Sequence, residues 1–223
     1  MVLLMKCVKI APVLIAVALA TAGCQSGGSK AADAASPSGA ASGSCDKSLG
    51  TPVKAAMKRV ADIPVSAKTS FIGDPQRAAE QVVARYEAGG VGDLTGIAFC
   101  GAYKGSSGLD SLTVSYYLPQ STPEKGKDAE TFKEYRMGET ALAGVKVGVL
   151  YFECTSGKFG GTSGTSVLIR GEVRSRNETS ESAAAAREDN LHILHDTSRT
   201  LASLLNCKGN SGLSDTFSMP SEA

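Results

Sequence analysis

The residues best suited to chemistry are six cysteines and two histidines. Cys45, Cys100, Cys154 and Cys207 recur at intervals of 53 to 55 residues, with no CxxC and no paired Cys/His spacing. Zinc binding is therefore not indicated, and four thiols reaching an oxidising compartment would form two disulfides in one of three connectivities. His192 and His195 stand three apart, a spacing that on a helix can turn two imidazoles toward one metal, with Glu188, Asp189 and Asp196 nearby. No third histidine and no HExxH pattern accompanies them, and Leu191 and Leu194 direct the same stretch into a core. No metal or cofactor is assigned.

Other motifs are weaker. Gly157–Gly164 is rich enough in glycine to suggest a phosphate cradle, but a P-loop opens a helix and here a strand pattern follows. Ser44-Cys45-Asp46-Lys47 fits SxxK by letters only, without an SDN partner, and GxSxG is absent. Asn177-Glu178-Thr179 spells a glycosylation sequon and reads as a polar loop. No catalytic residue is assigned, although a triad drawn from distant positions would leave no local signature.

Cys7 and Cys24 belong to the N-terminal stretch. Lys6 and Lys9 precede an eleven-residue apolar run, Ile10–Ala20, then Thr21-Ala22-Gly23-Cys24. Basic, apolar, small: this is the order of an export signal, and the run is too short for a membrane span of about 20 residues. Met5-Lys6 would put the charges at the terminus if translation began there rather than at Met1. From Gln25 to Ser44, sixteen of twenty residues are Gly, Ala or Ser. Such a segment cannot bury enough apolar surface to offset its chain entropy and reads as a tether with ends ~25 Å apart and a reach of ~70 Å.

Ala22-Gly23-Cys24 resembles the lipobox of bacterial lipoproteins, with Thr21 where that pattern usually has Leu. With the tether and a four-cysteine domain rich in Ala and Gly, the chain looks like the uncharacterised lipoproteins of actinobacteria. The resemblance implies cleavage before Cys24, lipid on its thiol, and a place at the outer face of the plasma membrane. Cys24 is the only functional residue it carries over.

The elements behind the tether make an α+β domain over 45–208. Val53, Ala56, Met57 and Val60 sit at helical spacing before Pro64; Asp74-Pro75 opens a clearer helix with Ala78, Ala79, Val82, Val83 and Tyr86 on one face. Five strand patterns follow: Leu94–Tyr103, Ser111–Leu118, Thr131–Met137, Lys146–Cys154 and Thr165–Val173. No helix separates them, which favours an antiparallel sheet. A long helix over Ser182–Asn206, with Ala184, Leu191, Leu194, Leu201 and Leu205 in one stripe, would cover a sheet face. Residues 209–223 read as a disordered tail.

Ile97–Cys100 and Tyr151–Cys154 each lead through a Gly/Ser loop to a second strand. Two similar but unrelated hairpins is the simpler reading; a true repeat would favour Cys100–Cys154 and leave Cys45–Cys207. Loss of Lys6 and Lys9 takes the formal charge from +1 to −1, giving no electrostatic reason to expect nucleic acid. The sequence thus points to a membrane-anchored, extracytoplasmic, non-catalytic module that binds a ligand or a protein. The alternatives are an envelope hydrolase, or a structural subunit of an envelope complex.

Overall fold

The computed structural model describes residues 44–105, 110–124, 131–160 and 164–223, all within one compact unit. The signal, Cys24 and most of the tether lie outside the described residues. Seven strands form one antiparallel sheet: β1 (Thr69–Ile72), β2 (Ile97–Lys104), β3 (Asp110–Tyr117), β4 (Lys133–Tyr135), β5 (Thr140–Ala143), β6 (Val147–Ser156) and β7 (Thr165–Ser175). Their order is β1-β2-β3-β7-β6-β5-β4. Among the described residues four α-helices accompany them: α1 (Ser44–Ser48), α2 (Thr51–Val60), α3 (Pro75–Glu87) and α4 (Ala183–Leu205).

The class is α+β, as the patterning indicates, with two strands more than the five expected. The missed strands, β1 and β5, are four residues each, and Thr140-Ala141-Leu142-Ala143 is buried throughout, so it shows no alternation to read. α3 begins as expected: Asp74 accepts a hydrogen bond from the Arg77 amide at 3.0 Å, and Pro75 occupies the first turn.

Period-two alternation places Leu112, Val114, Tyr116, Ile169, Val173, Leu150 and Phe152 on the helix-facing side, all buried. The opposite side carries an ion ladder in which Arg170 and Arg174 both grip Glu172, and Arg170 lies 4.7 Å above the Tyr117 ring. α4 can approach the sheet because β6 and β7 present glycine beneath it. A Cβ at Gly148 would stand 3.0 Å from both Asn190 and Leu194, and one at Gly171 would stand 2.9 Å from the Tyr116 ring. Within α4, Leu191, Leu194, Leu201 and Leu205 are buried as expected, but Ala184 is exposed in the first turn, while Ala186 and Ala202 are buried.

The disulfides are Cys45–Cys100 and Cys154–Cys207, with Cα atoms 6.0 and 5.0 Å apart. This overturns a Cys100–Cys154 pairing. β3 and β7 are antiparallel neighbours, pairing Val114 with Val173, so the two hairpins point their loops to opposite ends of the sheet. Three strand spacings, about 14 Å, also separate β2 from β6, whereas a disulfide needs Cα atoms within about 7 Å. Each bridge instead staples a strand to a helix end.

The C-terminal residues also differ from expectation. Asn206 ends α4 in the left-handed conformation (φ 56°), its amide bonding Ala202 and Ser203 carbonyls. From Cys207 the chain turns back over α4. Leu213 is 4% exposed, and the last residues reach β4: the Arg136 amide donates to Ser221 O and the Ala223 amide to Glu134 O, both at 3.0 Å. Glu222 bridges to Tyr135 across this edge. Polar composition conceals the order, because the segment is secured by hydrogen bonds and isolated apolar side chains rather than a periodic stripe.

Candidate cleft between the α1–α2 turn, α4 and the C-terminal segment

Helical spacing lines up His192, Asp196, Arg199, Thr200 and Ser203 on the outer side of α4. Facing them are Ser48–Gly50 and Pro52 at the α1–α2 turn, and Asp215, Thr216 and Phe217 from the returning chain. Between the three walls lies a cleft of about 580 Å³, within the range of small-molecule sites. Leu49, Pro52, Leu204 and Phe217 give it apolar surface; the α4 residues give it charge and hydrogen-bonding groups.

The two histidines part company here. His195 is buried, 1% exposed. Its Nδ1 lies 2.8 Å from Asp196 Oδ1, and its Nε2 lies 3.0 Å from the Ser214 carbonyl and 3.2 Å from Ser214 Oγ. His192 lies in the cleft, stacked on Phe217 with centroids 4.5 Å apart and rings 7° from parallel. Its Nε2 is 3.8 Å from Asp196 Oδ2. The two imidazoles approach different oxygens of Asp196, and no group of three or more His, Cys, Asp or Glu able to hold a metal ion occurs among the described residues.

Arg199 secures the third wall: its guanidinium donates to the backbone and carboxylate oxygens of Asp215. Asp215 Oδ1 also accepts from Asn210 at 3.0 Å. On the cleft side, neither ring nitrogen of His192 nor Asp196 Oδ2 is hydrogen-bonded among the described residues. An acceptor-only oxygen and an imidazole edge therefore face the same space.

Ser214, His195 and Asp196 have the spacing of a catalytic triad, but the Ser214 hydroxyl directs its proton away from the imidazole. Nε2 faces both the carbonyl and the hydroxyl of Ser214, while Nδ1 faces the Asp196 carboxylate. Ser214 Oγ in turn donates to Thr216 O at 2.8 Å. A general base needs Nε2 as an acceptor from the hydroxyl. Held this way, the trio fastens the C-terminal segment to α4.

Other described residues of these motifs have structural partners, and residues 161–163 of the Gly-rich segment lie outside the described residues. Lys158 donates to Leu204 O at 2.8 Å, capping the end of α4, and Phe159 packs edge-on against Tyr86. Asn177 donates to Ala61 O and Thr179 to Arg59 O, each at 2.9 Å, so the sequon pins the end of α2. Within Ser44–Lys47, Asp46 pairs with Lys54 and Cys45 is bridged.

Sequence reasoning finds His192 and His195 but not their surroundings. Ser48–Pro52 and Asp215–Phe217 lie in segments without periodicity, and no sequence signal brings either to α4. No protein-family model, curated protein or solved structure shows significant similarity to the chain.

Proposed function

We propose that this chain is a lipid-anchored extracytoplasmic module, non-catalytic, whose ligand enters the cleft beside α4. The observation that carries the reading is the cleft itself. It is concave, of small-ligand size, walled by three separate parts of the chain, and lined by apolar surface beside the polar edges of His192 and Asp196, 3.8 Å apart. The anchor rests on the basic–apolar–small order before Cys24 and on the Gly/Ala/Ser tether that follows.

A ligand that binds only the folded state raises the melting temperature by mass action. Screening metabolites and short peptides by thermal shift should give a saturable rise that Asp196→Asn and Phe217→Ala abolish and Asp93→Asn leaves intact. Binding indifferent to the two cleft variants rejects the site. For the anchor, Cys24→Ala should release the protein from membranes; a variant that stays equally membrane-bound rejects it.

A hydrolase is the second reading, supported by the 3.2 and 2.8 Å spacings of Ser214, His195 and Asp196. Covalent labelling by a fluorophosphonate, lost in Ser214→Ala, would establish it. The donation of Ser214 Oγ to Thr216 O predicts no labelling.

A further inference from the structure

The wall formed by Asp215–Phe217 belongs to a segment fastened differently from the rest of the fold. The Cys154–Cys207 bridge ties the chain to β6 at Cys207. Directly beyond it Gly209, Asn210, Ser211 and Gly212 all take positive φ, between 51 and 72°. Two of these are not glycine, and a run of left-handed residues carrying side chains is strained. The strain is compounded by the Ser211 hydroxyl, which is buried without a hydrogen-bond partner among the described residues.

Past this turn the fastenings are few. Leu213 is buried, Ser214 meets His195, and Phe217 lies on His192. Arg199–Asp215 and Lys133–Glu222 involve carboxylates 80% and 59% exposed, and such ion pairs contribute little. The far end is held by backbone hydrogen bonds to β4, a three-residue edge strand.

We propose that Leu213–Ala223 is a strap that swings about the 209–212 turn, completing the wall of the cleft when seated and removing it, with exposure of the outer edge of β4, when released. The proposal rests on the reading of the cleft as a ligand site and adds a gate to it. The disulfide sets where motion begins: α4 and Cys207 stay with the sheet, and the strained residues next in line act as the hinge. A ligand seated against Asp215, Thr216 and Phe217 would favour the seated form, so occupancy of the cleft and cover of the β4 edge are coupled.

Hydrogen exchange by NMR on the full mature protein tests this without any ligand. The reporter is the Arg136 amide, which donates to Ser221 O across the far end of the strap. It should exchange at least ~100-fold faster than the Phe152 and Ile169 amides of the β6–β7 core through sub-global opening. Ser211→Gly, which relieves hinge strain in the seated form, should slow Arg136 exchange severalfold, and Phe217→Ala should quicken it. Neither should change the β6–β7 amides. Simple fraying of β4 would ignore a substitution in a turn beyond α4.

Carbethoxylation of His195, buried while the strap is seated, should follow the same order across the variants. Arg136 exchange matching the β6–β7 core, or rates at Arg136 and His195 indifferent to Ser211→Gly, overturns the proposal. A rigid strap beside a cleft that binds ligand would sink the gate alone. A mobile strap beside a cleft that binds nothing would sink the ligand reading alone.

Discussion

Arg59 and Asp189, 130 residues apart, join α2 to α4 through two hydrogen bonds of 2.8 and 2.6 Å. The pair is lopsided: the Arg59 side chain is 43% exposed and that of Asp189 only 9%. The hydrogen bonding of Arg59 to Asp189 is the main influence holding the guanidinium pKa above its ordinary value. Burial decides which partner matters more. Removing the arginine strands a carboxylate away from water, whereas removing the aspartate frees a guanidinium that solvent can reach. Arg59→Ala should therefore destabilise by about 2–3 kcal/mol and Asp189→Ala by about 1–2 kcal/mol. Urea denaturation of the two variants checks the order, and equal losses would show that the exposures do not control it.

The disulfide pairing predicts a specific peptide map. Digestion without reduction should release a Cys45–Cys100 peptide pair and a Cys154–Cys207 pair. Each bridge closes a loop of more than fifty residues, so replacing either by serines should cost about 2–4 kcal/mol. The consequences should differ in place. Cys154→Ser/Cys207→Ser frees the end of α4 and the start of the returning chain, and proteolysis should begin after Asn206. Cys45→Ser/Cys100→Ser frees α1 and leaves that region protected.

Gly148 and Gly171 set the distance between α4 and the sheet. Gly171→Ala would press a methyl against the Tyr116 ring, and Gly148→Ala would press one against Asn190 and Leu194. Overpacking of this kind costs about 1–3 kcal/mol, more than any gain in strand propensity returns. Gly157→Ala is the control: nothing lies within 4 Å of a Cβ there, and its stability should be unchanged. Thermal melts of the three variants measure the contrast.

What sequence made readable depended on repetition within an element. Leu112, Val114, Tyr116 and Leu118 alternate, and all four are buried on one face; the leucines of α4 recur at helical spacing and form the cover. β1 and β5 are too short for a period to establish itself. Disulfide partners follow from the relative direction of two hairpins, which is fixed by the β3–β7 register and not by either hairpin. The cleft shows the same limit. His192 and Asp196 are neighbours on one helix and were legible as such, but the stack of Phe217 on His192 depends on a chain reversal after Asn206 driven by single contacts such as Leu213 and Asp215.

Tyr116 offers a test of the core by pH. Its ring is fully buried, edge-on to Phe99 with centroids 5.2 Å apart, and its hydroxyl meets Ser198 Oγ at 3.2 Å. Burial drives the phenol pKa well above its ordinary value near 10, because the phenolate has no water in the core. The folded state thus holds the proton more tightly than the unfolded chain. The associated stability is fully present below about pH 10 and is lost as pH rises beyond it, at about 1.4 kcal/mol per pH unit. Absorbance titration at 295 nm should show Tyr116 silent until the protein unfolds, with Tyr116→Phe removing this part of the alkaline loss of stability. A Tyr116 that ionises near pH 10 with the fold intact would mean that water reaches the centre of the sheet–helix interface.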